Sequence, residues 1–295
     1  LSARPARVSS MAEKRRVGVI GSGRVAQAMA LGLARMSAGP PMLWGRNAAR
    51  AEAAAARLGG VEVAPGLDAL AQRCGLILLA VSDDGVGAVA EALAAHVRPG
   101  CFAFHGSGRS GAAILSPLAK RGALTAAIHP AMTFTGDPAG EVARMAGARF
   151  AVTCADDAMD IALAVVAGLD GVAVPVAEAQ RTLYHAALCH AANHLVTLIA
   201  GAGEALALAG VAEPGALMAP LVRAALDNGL ERGIAGLSGP LLRGDRATIA
   251  DHLAAMARDC PDLLPPYRAM ARATLREQER TGAPASPQMR ALLEE

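Results

Sequence analysis

At 295 residues the chain is long enough for two modest domains, and 53% hydrophobic beside 18% charged residues describes a globular protein able to bury a core. A net charge of +2, with both signs scattered and no basic run interleaved with aromatics, argues against nucleic acid as a partner. No uninterrupted apolar stretch reaches the ~18 residues of a bilayer span, and the segment before Met11 lacks the apolar core of a signal peptide; no membrane role is expected, Met11 is read as the natural start after an upstream extension (1–10), and the protein is read as cytoplasmic.

From the N-terminus, short apolar runs alternate with helical stretches: "RVGVIG", "PMLWG", "VEVA", "GLILLAV", "CFAFHG", "LTAAIHP", "RFAVT" and "VAVPV". Strands this uniformly apolar suit a mostly parallel sheet covered on both faces. The stretches 25–37, 48–58, 85–96 and 157–168 are long enough for crossover helices. The expectation is a doubly wound α/β Rossmann sheet spanning 12–176. After Val176 no strand pattern returns. Helices are expected over 178–209, 214–231, 246–258 and 265–281, so 177–295 reads as an all-helical domain. The cysteines Cys74, Cys101, Cys154, Cys189 and Cys260 show no C-x-x-C spacing; they read as reduced thiols, and no metal site is expected.

"GSGRVA" follows the first apolar run and opens the first helical stretch, the context of a dinucleotide fingerprint. Gly21 permits a tight turn, Gly23 lets a pyrophosphate approach the backbone, and Ala26 keeps helix and strand close. Ser22, Arg24 and Val25 complete the loop and the N–H-rich helix start. The second strand ends "LWGRN", with Gly45 and Arg46 where an NAD site carries an acid. Arg46 can pair with a 2′-phosphate and Asn47 can add a donor, so NADP is the expected cofactor. Val81, Ser82 and Asp83 follow the fourth strand; His105, Gly106 and Ser107 end and follow the fifth. Ligands of such sheets bind outside these carboxyl ends.

Three residues stand out as catalytic candidates. His129, before Pro130 at a strand end, is a general-acid candidate, with a packed or loop-anchoring histidine as the alternative. His185, Cys189 and Asn193 share a broad face of the long helix, with Asn193 placed near a reacting carbonyl and His185 at one end of the pocket. Interhelical hydrogen bonds are the alternative for each. Ser238 and Arg243 are candidates for a substrate carboxylate, and Asp245 for a helix cap.

The motifs "GSGRVA", "WGRN", "AVSDD", "IHPAMTF", "YHAALCHAANHL" and "GLSGPLLRGDRATIADHL" resemble a bacterial family regarded as oxidoreductases. In it a Rossmann-like domain is joined to the helical domain of unknown function 2520, and the likeness covers roughly 14–281. The resemblance implies a fold similar to 6-phosphogluconate dehydrogenase and pyrroline-5-carboxylate reductase. It also implies NAD(P)H-dependent reduction of a small acid, ketopantoate among the candidates, and a homodimer through the helical domain. Relatives often carry Lys and Asn four residues apart on the long helix; here Asn193 takes the Asn place and Cys189 stands in place of Lys. The expected function is NADPH-dependent reduction of a small 2-keto acid, at a site between the sheet's carboxyl edge and the long helix. Reduction of a cyclic imine, and dinucleotide sensing without turnover, are the alternatives.

Overall fold

The computed structural model describes residues 15–282 and 286–294, so the expected start at Met11 and the extension 1–10 lie outside the described residues. Strand β1 (Val17–Ile20) is wholly buried and runs into helix α1 (Arg24–Leu33). The chain continues through β2 (Met42–Trp44), α2 (Ala48–Leu58), β3 (Glu62–Val63), α3 (Leu67–Arg73), β4 (Leu76–Leu79) and α4 (Val86–Ala94). Next come β5 (Phe102–His105), α5 (Ser116–Ala119), β6 (Leu124–Pro130), α6 (Pro138–Met145), β7 (Arg149–Cys154), α7 (Asp156–Gly168) and β8 (Val172–Pro175). Each of the eight apolar runs supplies one strand, and they form one sheet in the order β3-β2-β1-β4-β5-β6-β7-β8. All neighbours are parallel except β6 and β7, which pair antiparallel with Ile128 opposite Val152.

The pleat sorts side chains onto two cores. Val17, Val19, Leu78, Phe102 and Phe104 face α1 and α7, where Met29, Leu33, Ile161 and Val165 are buried. Ile20, Ile77, Leu79 and Ala103 face the other layer, against Leu70, Ala90, Leu93, Leu115 and Leu118. Each large aliphatic side chain buried this way contributes about 1.5–3 kcal/mol. Both faces are covered at the central strands β1, β4 and β5, which explains their unbroken apolar runs, whereas the edge strands β3 and β8 are largely exposed.

Helix α8 (Arg181–Leu208) follows a 3₁₀ turn at Glu178–Gln180. Strand character ends near residue 176, yet the chain divides into compact units after His190. The reason is Arg181, which is 1% exposed and bonds the carbonyl oxygens of Ala127 and Ala151, tying the start of α8 to the sheet. Within Glu178–Leu208 an 18-residue window reaches a mean hydropathy of 1.3, enough by length and composition alone to cross a membrane. Arg181, His185, His190, Asn193, His194 and Glu204 interrupt that run, so no uninterrupted apolar span stands out in the sequence.

Beyond α8 lie α9 (Pro214–Arg232), α10 (Pro240–Arg243), α11 (Arg246–Asp259), α12 (Leu264–Arg280) and α13 (Pro287–Glu294). Ile249, Leu253, Ala271, Leu275, Met289 and Leu293 form the core of this second unit. Asp245 caps α11 by accepting from the Thr248 N–H at 3.2 Å, as expected from the sequence.

Candidate functional site

The turn from β1 to α1 builds the floor of a trough. Gly21 has φ +132°, and a Cβ there would overlap the carbonyl oxygen of Ala80 at the end of β4, so its need for glycine is internal. Gly23 is different. Its φ is −74°, and a Cβ added to it meets nothing within 4 Å, so the protein itself does not require glycine there. The open side suits a group that must approach the backbone, as a pyrophosphate does. Gly23 caps α1 without a side-chain hydrogen bond, leaving the helix N-terminus to meet an anion.

Two clefts flank this turn. One, of about 490 Å³, is lined by Gly21, Ser22, Gly23, Trp44, Arg46, Asn47, Arg50, Val81 and Ser82. The other, of about 380 Å³, is lined by Gly23, Arg24, Val25, Val81, Ser82, Asp83, Gly106, Ser107 and Phe134. They share Gly23, Ala80, Val81 and Ser82. This is the carboxyl edge between β1 and β4, where strand order reverses and the two halves of a dinucleotide part. Every residue expected to bind the cofactor lines one cleft or the other. Arg50 joins Arg46 there, a neighbour the sequence did not single out. Asn47 also caps α2, its Oδ1 accepting from the Arg50 N–H at 3.0 Å. Asp83 sits beside Arg109, whose Nε lies 3.9 Å from its Oδ2.

His105, at the end of β5, is a loop anchor. Its Nδ1 accepts the Ser107 N–H at 3.1 Å, so its Nε2 carries the proton and donates to the Gly111 carbonyl oxygen at 2.9 Å. Burial pushes this imidazole below its ordinary pKa, and the Gly111 hydrogen bond opposes that only partly. Ser107 is held in turn, its Oγ accepting from the Ser110 N–H at 3.3 Å.

His129 ends β6 with its Nδ1 2.8 Å from the hydroxyl of Tyr184 on α8. The two rings meet edge to face at 5.7 Å, and His185 packs against His129 the same way at 6.2 Å. The Nε2 of His185 lies 3.6 Å from Cys189 Sγ. Gly108 makes this cluster possible: a Cβ there would lie 2.5 Å from His185 Cδ2 and 3.0 Å from His129 Nε2. Burial first, then the charges of Arg181 and His185, push His129 down to about 4. At that value it is a neutral imidazole at pH 7. Burial also raises Tyr184, with Arg181 pulling the other way, so its hydroxyl keeps its proton.

The sequence reading therefore finds His129 and His185 together but misses Tyr184, Arg181 and Gly108. Only the spacing "RTLYH", which sets Arg181, Tyr184 and His185 on one helical face, carried a signal. Asn193 falls in the second compact unit, in an exposed stretch of α8 where its carbonyl accepts from Thr197 Oγ1 at 3.3 Å. Ser238 and Arg243 also belong to that unit.

Sequence comparison matches residues 3–130 to a Rossmann-like domain and residues 148–274 to a domain of unknown function, DUF2520. Over those residues the chain is similar to a Rossmann-like domain followed by a DUF2520 domain. The DUF2520 match thus begins at β7 and takes in the last two strands with α8. No curated protein matches the chain in sequence. Among solved structures, a proposed NADP oxidoreductase from Bacteroides fragilis superposes with a TM-score of 0.73 at 19% identity, covering 89% of this chain and 98% of its own. A reductive aminase from Aspergillus terreus in complex with NADPH and ethyl-5-oxohexanoate gives 0.68 at 18% identity, covering 95% and 99%. An imine reductase from Myxococcus stipitatus in complex with NADP+ gives 0.65 at 17%, covering 95% and 100%. The fold shared with these structures is a mostly parallel Rossmann sheet followed by a helical region.

Proposed function

We propose that the protein is an NADPH-dependent reductase of a small 2-keto acid. The observation that carries this reading is the pair of clefts sharing Gly23, Ala80, Val81 and Ser82, with Arg46 and Arg50 at one end and Ser107 at the other. A 2′-phosphate would be held by Arg46 and Arg50, a pyrophosphate by the backbone at Gly23 and the start of α1, and a carboxamide by Ser107. The structural relatives that hold NADPH or NADP+ support the same cofactor.

A bound dihydronicotinamide would supply the hydride. What remains for the chain is to orient the carbonyl, stabilise its oxygen as charge develops, and deliver a proton. Tyr184 is the proton donor in this reading, and the neutral His129 orients and recharges it through the 2.8 Å hydrogen bond. His185 flanks that pair. Asn193 is retained as the candidate amide donor to the carbonyl oxygen. Reduction of a cyclic imine is the second reading, favoured by the likeness to an imine reductase and a reductive aminase.

We also infer a homodimer formed through the helical region, because Leu183, Val196, Leu221 and Leu230 are each at least two-thirds exposed. The five thiols are free, which fits a cytoplasmic setting. The test of function is NADPH consumption with ketopantoate and other small 2-keto acids against 1-pyrroline-type imines. Tyr184→Phe and His129→Asn should each lower turnover by about a hundredfold with cofactor affinity kept. Wild-type rates in both would remove the pair from the mechanism.

A further inference from the structure

Among the described residues Arg181 is the largest fully buried side chain. Its hydrogen bonds go to uncharged acceptors. Nε donates to Thr153 Oγ1 at 2.8 Å, Nη2 to the carbonyls of Ala127 and Ala151 at 2.8 and 3.0 Å, and Nη1 to the Ser107 carbonyl at 3.5 Å. Among the described residues no carboxylate forms an ion pair with it. Glu178, three residues earlier, is exposed and accepts from the Ala113 N–H. Glu178 attracts Arg181 only from outside ion-pair distance, and a buried cation so weakly compensated is unfavourable, whereas an aliphatic side chain could fill the same space. The position of this charge gives it a use. Ser107 lies between it and the smaller cleft, and its guanidinium carbon stands 5.8 Å from the centre of the Tyr184 ring.

We propose that Arg181 sets the substrate specificity of this site: its buried charge, hydrogen-bonded only to uncharged acceptors, reserves the cleft beside Ser107 for a ligand that carries a carboxylate or develops an alkoxide. It does so without touching that ligand, as a positioning residue that acts through Ser107 and Tyr184. The charged and titratable groups that bear on His129 act mostly in one direction. Arg181, His185 and His105 all disfavour its protonation, and only Asp83, itself beside Arg109, favours it. A site of this polarity repels a cationic iminium and welcomes an anionic keto acid. The substrate named rests on the reductase reading; the selectivity for charge does not.

The test uses the full chain saturated with NADPH and two small probes of equal size, anionic oxamate and neutral oxamide. The wild type should bind oxamate at least about tenfold more tightly, and the preference should persist at about pH 9, where histidines are neutral and arginine is not. R181K should keep most of the preference and R181Q should lose it, with the NADPH affinity of each variant checking that the fold is intact. Equal binding of the two probes by the wild type would overturn the proposal, as would a preference that R181Q retains. A preference that vanishes between about pH 6 and 8 would assign the charge to a histidine and overturn it too. If the oxamate preference holds and no 2-keto acid is reduced, the reductase reading falls and the role of Arg181 stands.

Discussion

Gly21 and Gly23 sit in one turn and answer to different constraints, so their alanine variants should separate fold from binding. At Gly21 the added methyl meets the Ala80 carbonyl in a backbone conformation that alanine rarely adopts, and thermal stability should fall. At Gly23 it meets no protein atom; stability should hold while NADPH affinity drops at least about tenfold, as titration would read. Equal effects at both positions would contradict this division. Arg46→Ala should weaken NADPH by about tenfold to a hundredfold and barely change NADH, because a hydrogen bond to a charged group contributes about 1.5–3 kcal/mol. His129 predicts a pH dependence of stability. Its pKa falls from 6.5 to about 4 on folding, so between those values the unfolded chain binds the extra proton. Stability is therefore full above pH 6.5 and is lost as pH falls toward 4, by up to about 3 kcal/mol. His129→Asn should shrink the drop in Tm between about pH 7 and 5. His105, lowered by the same cause, leaves a residual slope.

The central strands were legible as elements because burial on both faces leaves unbroken apolar runs, and so was the glycine turn, whose strand–turn–helix context is local in sequence. Direction was not legible. Nothing in "RFAVT" distinguishes a strand that runs antiparallel to β6, as β7 does, from one that runs parallel. The short helices α3, α5 and α6 give too few turns for a periodic pattern to stand out. The His129–Tyr184 contact joins residues 55 apart, and α8 reads as one apolar helix whose first turns, anchored by Arg181, belong with the sheet. The loop after β5 offers a test at this scale. Gly108→Ala drives a methyl against His185 and His129, so turnover should fall while NADPH affinity, carried mainly by Arg46, Arg50 and the backbone at Gly23, stays near wild type. A matching loss of both would show that the loop acts only as scaffold.

At the scale of the whole molecule, the exposed aliphatic residues of α8 and α9 predict a dimer, so light scattering at micromolar concentration should give about twice the chain mass of 29.8 kDa. Leu221→Glu and Leu230→Glu together should shift it toward monomer, and a wild-type monomer would contradict the dimer. The central claim, hydride transfer from NADPH to a 2-keto acid, is tested most directly by isotope. NADPH carrying deuterium on the transferred face of the nicotinamide is incubated with the protein and a panel of small 2-keto acids, and the products are weighed by mass spectrometry. The account predicts a 2-hydroxy acid with the deuterium on its new C–H bond, formed by the wild type and about a hundredfold more slowly by Tyr184→Phe. NADPH that binds and is never consumed, or a label that appears only in a reduced imine, would contradict it.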